Sequence, residues 1–201
     1  MRGKKVIKKF SSEPLGNFIS LFVLLITVIA TFVPFFPEMP AADLDSSWKL
    51  GMNQAAAQGL SFGKEIIFTF GPYASIYTKS YHPFTDFMML GGSLYLALSY
   101  WGCCVFLMKG TQWRWVLAFC VVLAGFMSSR DALLFSLPFV VGLLTSKILI
   151  SEEAGVMESK WGPVYVALLF APFGLLPLIK GSIFALCGPV AILCCVLFLI
   201  H

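Results

Sequence analysis

The sequence predicts an all-α protein, a polytopic transmembrane helical bundle of about six spans. Three observations lead there. Hydrophobic residues make up 59% of the 201 residues and charged residues 12%, whereas a soluble domain carries roughly 25% charge. Mean hydropathy is +0.88. Charge is missing from long stretches: 14–37, 87–108, 115–129, 132–146, 161–179 and 181–201 hold no Asp, Glu, Lys or Arg. These runs are continuously apolar and do not alternate, which disfavours barrel strands. The composition excludes a water-soluble globule, a disordered chain and a nucleic-acid-binding domain.

A bilayer core of roughly 30 Å takes about 20 helical residues. The gaps place spans near 16–36, 87–108, 113–128, 132–150, 162–179 and 182–200, all in one transmembrane domain covering 1–201. Two gaps are short, and the fourth span reaches Ile150 if Lys147 snorkels. The first span is expected to be an uncleaved anchor. Its apolar stretch exceeds the h-region of a signal peptide, and Pro40 suits cleavage at Ala41–Ala42 poorly. Arg2, Lys4, Lys5, Lys8 and Lys9 put the N-terminus in the cytoplasm by the positive-inside rule. Six crossings add Lys109, Arg114, Lys147, Lys160 and the connector 151–160 to that side. Lys49, Lys64, Lys79, Arg130 and Lys180 fall outside, with Glu38, Asp43, Asp45, Glu65, Asp86 and Asp131. The six Cys lie within predicted spans, have no zinc-like spacing and read as packing residues.

One connection is long: about fifty residues, 37–86, separate spans one and two. Long ordered loops are usually functional. Trp48, Met52, Ala56 and Leu60 recur at i, i+4, the stripe of an amphipathic helix expected on the outer membrane surface. Asp45, Ser46 or Ser47 caps its start and Gly59 its end. Asp43 reads as a solvated loop residue. EIIFTF (65–70), the Gly71–Pro72 turn and the aromatic run after it are expected to pack among the helix ends.

The order of these features resembles the first external loop of the GT-C superfamily of membrane glycosyltransferases, distantly similar to the protein O-mannosyltransferase and aminoarabinose transferase types. The residues that carry the resemblance are Asp45, Trp48, Ala55–Ala57, Gly59 and Gly71–Pro72. The Gly-Pro turn stands where better-known members have Pro-Pro, and Ser46 stands where a second acidic residue often follows, which marks a distant branch. The Arg130–Asp131 turn is similar to a motif of the O-mannosyltransferases. The resemblance implies a sugar donor linked to polyprenyl phosphate, the lipid bilayer as environment and a site on the periplasmic face of a bacterial inner membrane. Asp45 then serves as the base or helps hold a divalent metal ion, so the cofactor stays open. Members usually carry more helices, so the chain is expected to be a partial module or a reduced relative that a protein partner completes.

Charges near the membrane are a functional signal. An acceptor hydroxyl must lose a proton, which a carboxylate can take, and a phosphate leaving group needs a cation. Topology puts Asp45, Arg130, Asp131 and Lys180 on one face. Asp45 and Asp131 are the catalytic candidates, and Arg130, Lys180, Trp48 and Asn53 the substrate-binding ones. Simpler roles stand beside these: Asp131 as a helix cap, Lys180 as a snorkelling anchor. A transporter or lipid-handling protein, and a non-catalytic assembly subunit, are the alternatives. No repeat relates spans 1–3 to 4–6, and no mid-span charge marks an ion path.

Overall fold

The computed structural model describes residues 13–150 and 162–200. The basic N-terminal segment and the connector 151–160 lie outside the described residues. Ten helical segments form, among the described residues, in the order α1 (Glu13–Phe32), α2 (Leu44–Ala57), α3 (Ala74–Thr78), α4 (Asp86–Leu107), α5 (Trp113–Gly125) with a 3-10 turn (Phe126–Ser128), α6 (Arg130–Ile150), α7 (Gly162–Ile179), a second 3-10 turn (Gly181–Ile183) and α8 (Phe184–Ile200). Among the described residues there is no strand, only isolated bridges in the loop region.

Four helical stretches are long and apolar enough to cross a membrane by length and composition: Leu15–Phe32, Asp86–Leu107, Arg130–Leu149 and Gly181–Leu199. Trp113–Ser128 and Val166–Ile179 are apolar but shorter. The first helix stops at Phe32, four residues before its expected end at 36. Val33 N–H still bonds back to Ile29 O, but Pro34 has no N–H to continue the ladder and disfavours helical backbone at Val33.

The core is built from one face of each long helix. Leu24 and Val28 of α1, Leu96 and Tyr100 of α4, Leu123 of α5, Leu137 and Val141 of α6, and Leu176 and Ile179 of α7 are fully buried. Five of the six Cys are buried and all are free thiols, in keeping with a packing role. Outward faces stay apolar: Phe22, Val121, Leu143, Leu168 and Ile192 are all more than half exposed, as suits helices surrounded by lipid.

The bundle has two distinct ends. At one, Lys147 donates to the carbonyls of Phe106 (3.1 Å), Leu107 (2.8 Å) and Lys109 (3.2 Å). It caps the negative C-terminus of α4, a more specific role than snorkelling. At the other end sit the C-terminus of α1, the start of α4 and the turns before α6 and α8. The long loop docks there.

Asp43, not Asp45, Ser46 or Ser47, caps α2. Its backbone is extended (φ −131°, ψ 169°), and its carboxylate accepts from Ser46 N–H at 2.8 Å and Ser46 Oγ–H at 2.7 Å. That is the N-cap-to-third-residue bond, and it leaves Asp45 free in the first turn. At the other end Gly59 N–H bonds to Ala56 O and Leu60 N–H to Ala55 O, with Gly59 at φ +68°. This is the Schellman arrangement that favours glycine. The buried face is Met52, Asn53 and Ala55. With Trp48 it covers Phe70 and Ala74, so the apolar stripe of α2 packs on the loop's own aromatic residues.

Gly71 fixes that loop to the bundle. Its N–H bonds to Ile179 O, Tyr73 N–H to Leu178 O, and Gly181 N–H to Thr69 O. A Cβ at position 71 would collide with the Leu178 carbonyl, so only glycine permits this approach. The expectation that the aromatic stretch packs among the helix ends is met by these bonds.

Candidate functional site

The antiparallel bridge between Phe70 and Lys180 holds Lys180 in extended backbone between α7 and α8. Its ammonium lies over the rings of Phe70 (5.3 Å) and Tyr77 (4.8 Å) and donates to Asp131 Oδ1 at 2.6 Å. Two cation–π contacts and an ion pair thus tie the α7–α8 turn to the first turn of α6. Trp48 stacks on Phe70 at 5.2 Å, extending the aromatic cluster to α2.

Arg130 is held by the C-terminus of α3. Its Nη1 donates to Thr78 O (2.7 Å) and Tyr77 O (3.4 Å), and Nη2 donates to Glu38 Oε1. The other oxygen of Glu38 accepts from Lys49 Nζ of α2 at 2.7 Å. Glu38 itself is pinned by backbone bonds, its N–H to Lys79 O and its O from Tyr81 N–H. Burial pushes the Glu38 carboxyl up, but the bonds from Lys49 and Arg130 outweigh it and hold the group below its ordinary value. Lys79 sits behind this cluster in left-handed backbone (φ 53°) and donates to Thr31 O at 2.9 Å. Burial, then repulsion from Arg130, lower its ammonium to about 8, with Glu38 opposing. Burial raises the Tyr77 phenol, Lys180 opposing and Asp131 adding.

These groups surround a cleft of about 460 Å³ lined by Asp45, Trp48, Lys49, Tyr77, Ser128, Ser129, Arg130 and Asp131. Four of the six expected site residues, Asp45, Trp48, Arg130 and Asp131, therefore line one space. Lys180 stands behind Asp131. Asn53 is buried elsewhere on α2, its Nδ2 donating to Ser80 O at 3.1 Å; it joins α2 to the loop and is outside the lining. Among the described residues, Asp131 and Glu38 form ion pairs and Asp45 forms none. Among the described residues, Trp48 Nε1–H donates to Asp45 Oδ1 at 3.2 Å, and Asp45 lines the cleft.

Glu38, Lys49 and Tyr77 were not singled out as site residues from sequence. Lys49 carried a local signal, lying one turn after Asp45 on α2. Glu38 carried none, because its partner Arg130 is 92 positions away.

The described residues offer no ligand set made of protein groups alone for a divalent ion at Asp45. Among the described residues no three His, Cys, Asp or Glu come together as a ligand set, and Asp131, the other carboxylate of the cleft lining, already holds Lys180. Compared with known proteins, the chain matches no protein-family model, no curated protein and no solved structure.

Proposed function

We propose that the chain is a GT-C-like integral membrane glycosyltransferase, or the N-terminal part of one. In this reading all six apolar segments cross the membrane, the N-terminus is cytoplasmic, and the cleft faces outward. There a sugar passes from a polyprenyl-phosphate-linked donor to an acceptor hydroxyl. The bond from the anomeric carbon to the acceptor oxygen forms as the bond to the phosphate oxygen breaks, and the electron pair leaves on the phosphate. Asp45 takes the acceptor's proton. Arg130 faces the charge that develops on the phosphate. Asp131, paired with Lys180, holds the first turn of α6 against the loop and so positions Arg130. Trp48 offers an apolar wall to the sugar.

The observation that carries the reading is the meeting of Asp45, Arg130 and Asp131 around one cleft, with Asp45 the lining carboxylate that forms no ion pair among the described residues. Residues from α2 and α6, far apart in sequence, supply an unneutralised base and a cation together, the pair that transfer from a phosphate requires. The test uses the full chain in nanodiscs with a panel of polyprenyl-phosphate sugars and hydroxyl acceptors, products being read by mass spectrometry. Sugar transfer that depends on Asp45 is expected. Failure of every donor, with and without the membrane proteins that co-purify with the chain, contradicts the reading.

A further inference from the structure

The apolar surface of the bundle does not end where α1 ends. Phe35 and Phe36 follow the last helical residue, Phe32, and are 63% and 95% exposed. They continue an exposed apolar face of α1 that carries Phe22 and Ile26. The apolar stretch of α1 is itself short. Leu15–Phe32 is 18 residues, roughly 27 Å at 1.5 Å per residue, against a hydrocarbon core of roughly 30 Å. A non-helical segment tolerates lipid only if its backbone N–H groups are satisfied, and this one has few to satisfy. Pro34 and Pro37 carry none. Val33 N–H bonds to Ile29 O, Phe35 N–H to Val33 O and Glu38 N–H to Lys79 O. Phe36 N–H remains, one residue before the last proline. The neighbouring helix reaches a similar level. Phe32 and Ser93 line one small cavity. Phe87 lies six residues beyond Ser93 along α4, roughly 9 Å, and Phe36 lies four extended residues beyond Phe32, up to roughly 13 Å. Phe87 is also almost fully exposed.

We infer that the segment 33–37 is immersed in the leaflet at the loop end of the bundle, with the Phe35 and Phe36 rings against lipid acyl chains, and that the hydrocarbon boundary falls between Phe36 and Glu38. The two prolines end the helix and at the same time remove N–H groups that lipid could not satisfy. α1 gains its missing length without a further helical turn. Moving the two rings from water into acyl chains is favourable in proportion to the apolar area removed from water. Phe36 N–H, at the boundary, is within reach of headgroups and water. The first charge after the segment is Glu38, which Lys49 and Arg130 pin in place. The ion network beside the cleft therefore begins at headgroup level. Lipid is the occupant because the rings continue a face that α1 already turns to lipid, and because the segment supplies the length the span lacks. Only the chain's place in a bilayer enters this inference, and none of the transfer chemistry does. Loss of the transferase reading leaves it standing.

The test is spin labelling of the full chain in nanodiscs of a zwitterionic lipid. Cys195, the exposed cysteine, is removed by Cys195→Ser, and a nitroxide is attached through Phe36→Cys. Phe22→Cys, on the exposed apolar face of α1, and Lys64→Cys, at an exposed charged position of the loop, are the references. Power saturation compares collision with oxygen, which concentrates in lipid, and with a water-soluble nickel chelate. The oxygen-to-nickel ratio at position 36 is expected to match that at position 22 and to stand several-fold above that at position 64. Melting temperatures of the labelled chains check that the fold is kept. Phe36→Trp, which keeps an aromatic ring, gives a second readout: its fluorescence above that of the wild type is expected to be quenched by lipids brominated on the acyl chain near the headgroup. A ratio at position 36 equal to that at position 64, or an unquenched Phe36→Trp signal, places the segment in water and overturns the inference. Poor collision with both reagents means that protein covers the segment, a second copy of the chain if label–label broadening accompanies it, and overturns the inference as well.

Discussion

Lys180 Nζ lies 2.6 Å from Asp131 Oδ1 while resting on the rings of Phe70 and Tyr77. One ammonium thereby joins the α7–α8 turn, the start of α6 and the long loop. The Asp131 carboxylate is 45% exposed, so solvent screening keeps the pair modest, at about 1 kcal/mol. A thermal-unfolding double-mutant cycle of Asp131→Asn and Lys180→Met should give a coupling of that size. Strictly additive effects would show that the pair does not hold the turn.

The close approach of the loop to the bundle rests on position 71. Gly71→Ala places a methyl on the Leu178 carbonyl, and the backbone must separate there. Overpacking of this kind costs about 2 kcal/mol. Limited proteolysis between residues 37 and 86 should speed up in the variant, and its melting temperature should fall. Unchanged proteolysis would mean that the loop is held mainly elsewhere.

Stability should rise with pH above about 8 through Lys79. The folded chain gives up this proton near pH 8, whereas the unfolded chain keeps it to 10.5. Between those values the unfolded state binds more protons, so unfolding becomes less favourable as pH rises. Below about pH 8 both states are charged, and the penalty of the half-buried ammonium is fully present. Melting curves from pH 7 to 10.5 should show a rise in wild type that Lys79→Gln lacks. Parallel curves would contradict this.

The helical elements were legible because charge gaps and hydrophobic runs are local properties. Most observed helix bounds fall within a few residues of those gaps. The exception, α1, ends early because Pro34 acts on the backbone while adding no charge to mark the end. Gly59 was legible for the same reason: a C-terminal glycine after an amphipathic stripe is a local pattern. The cap was misplaced by two to four residues because Asp43, Asp45, Ser46 and Ser47 are all good caps, and only backbone geometry distinguishes them. Asn53 read as a substrate-binding residue because it lies on the loop helix with Asp45 and Trp48; its partner, the Ser80 carbonyl, is 27 residues on and carries no local signal. Glu38 was invisible as a site residue because two cations from separate helices give it its role. Topology could bring Asp45, Arg130, Asp131 and Lys180 to one face, but it could not show that Lys180 would be paired and Asp45 unpaired.

The contrast between two neighbouring aspartates tests the central claim most directly. Asp43 is an N-cap, and Asp45 lines the cleft with no ion pair among the described residues. Asparagine caps helices as well as aspartate, so Asp43→Asn should leave α2 and activity nearly intact. Asp45→Asn removes the base and should lower sugar transfer on the order of 10²-fold or more, the usual contribution of general base catalysis, with an unchanged melting temperature. The measurement is the transfer rate of the two variants side by side in nanodiscs. A large loss in Asp45→Asn alone is the predicted result; a wild-type rate in Asp45→Asn, or equal losses in both, would contradict it.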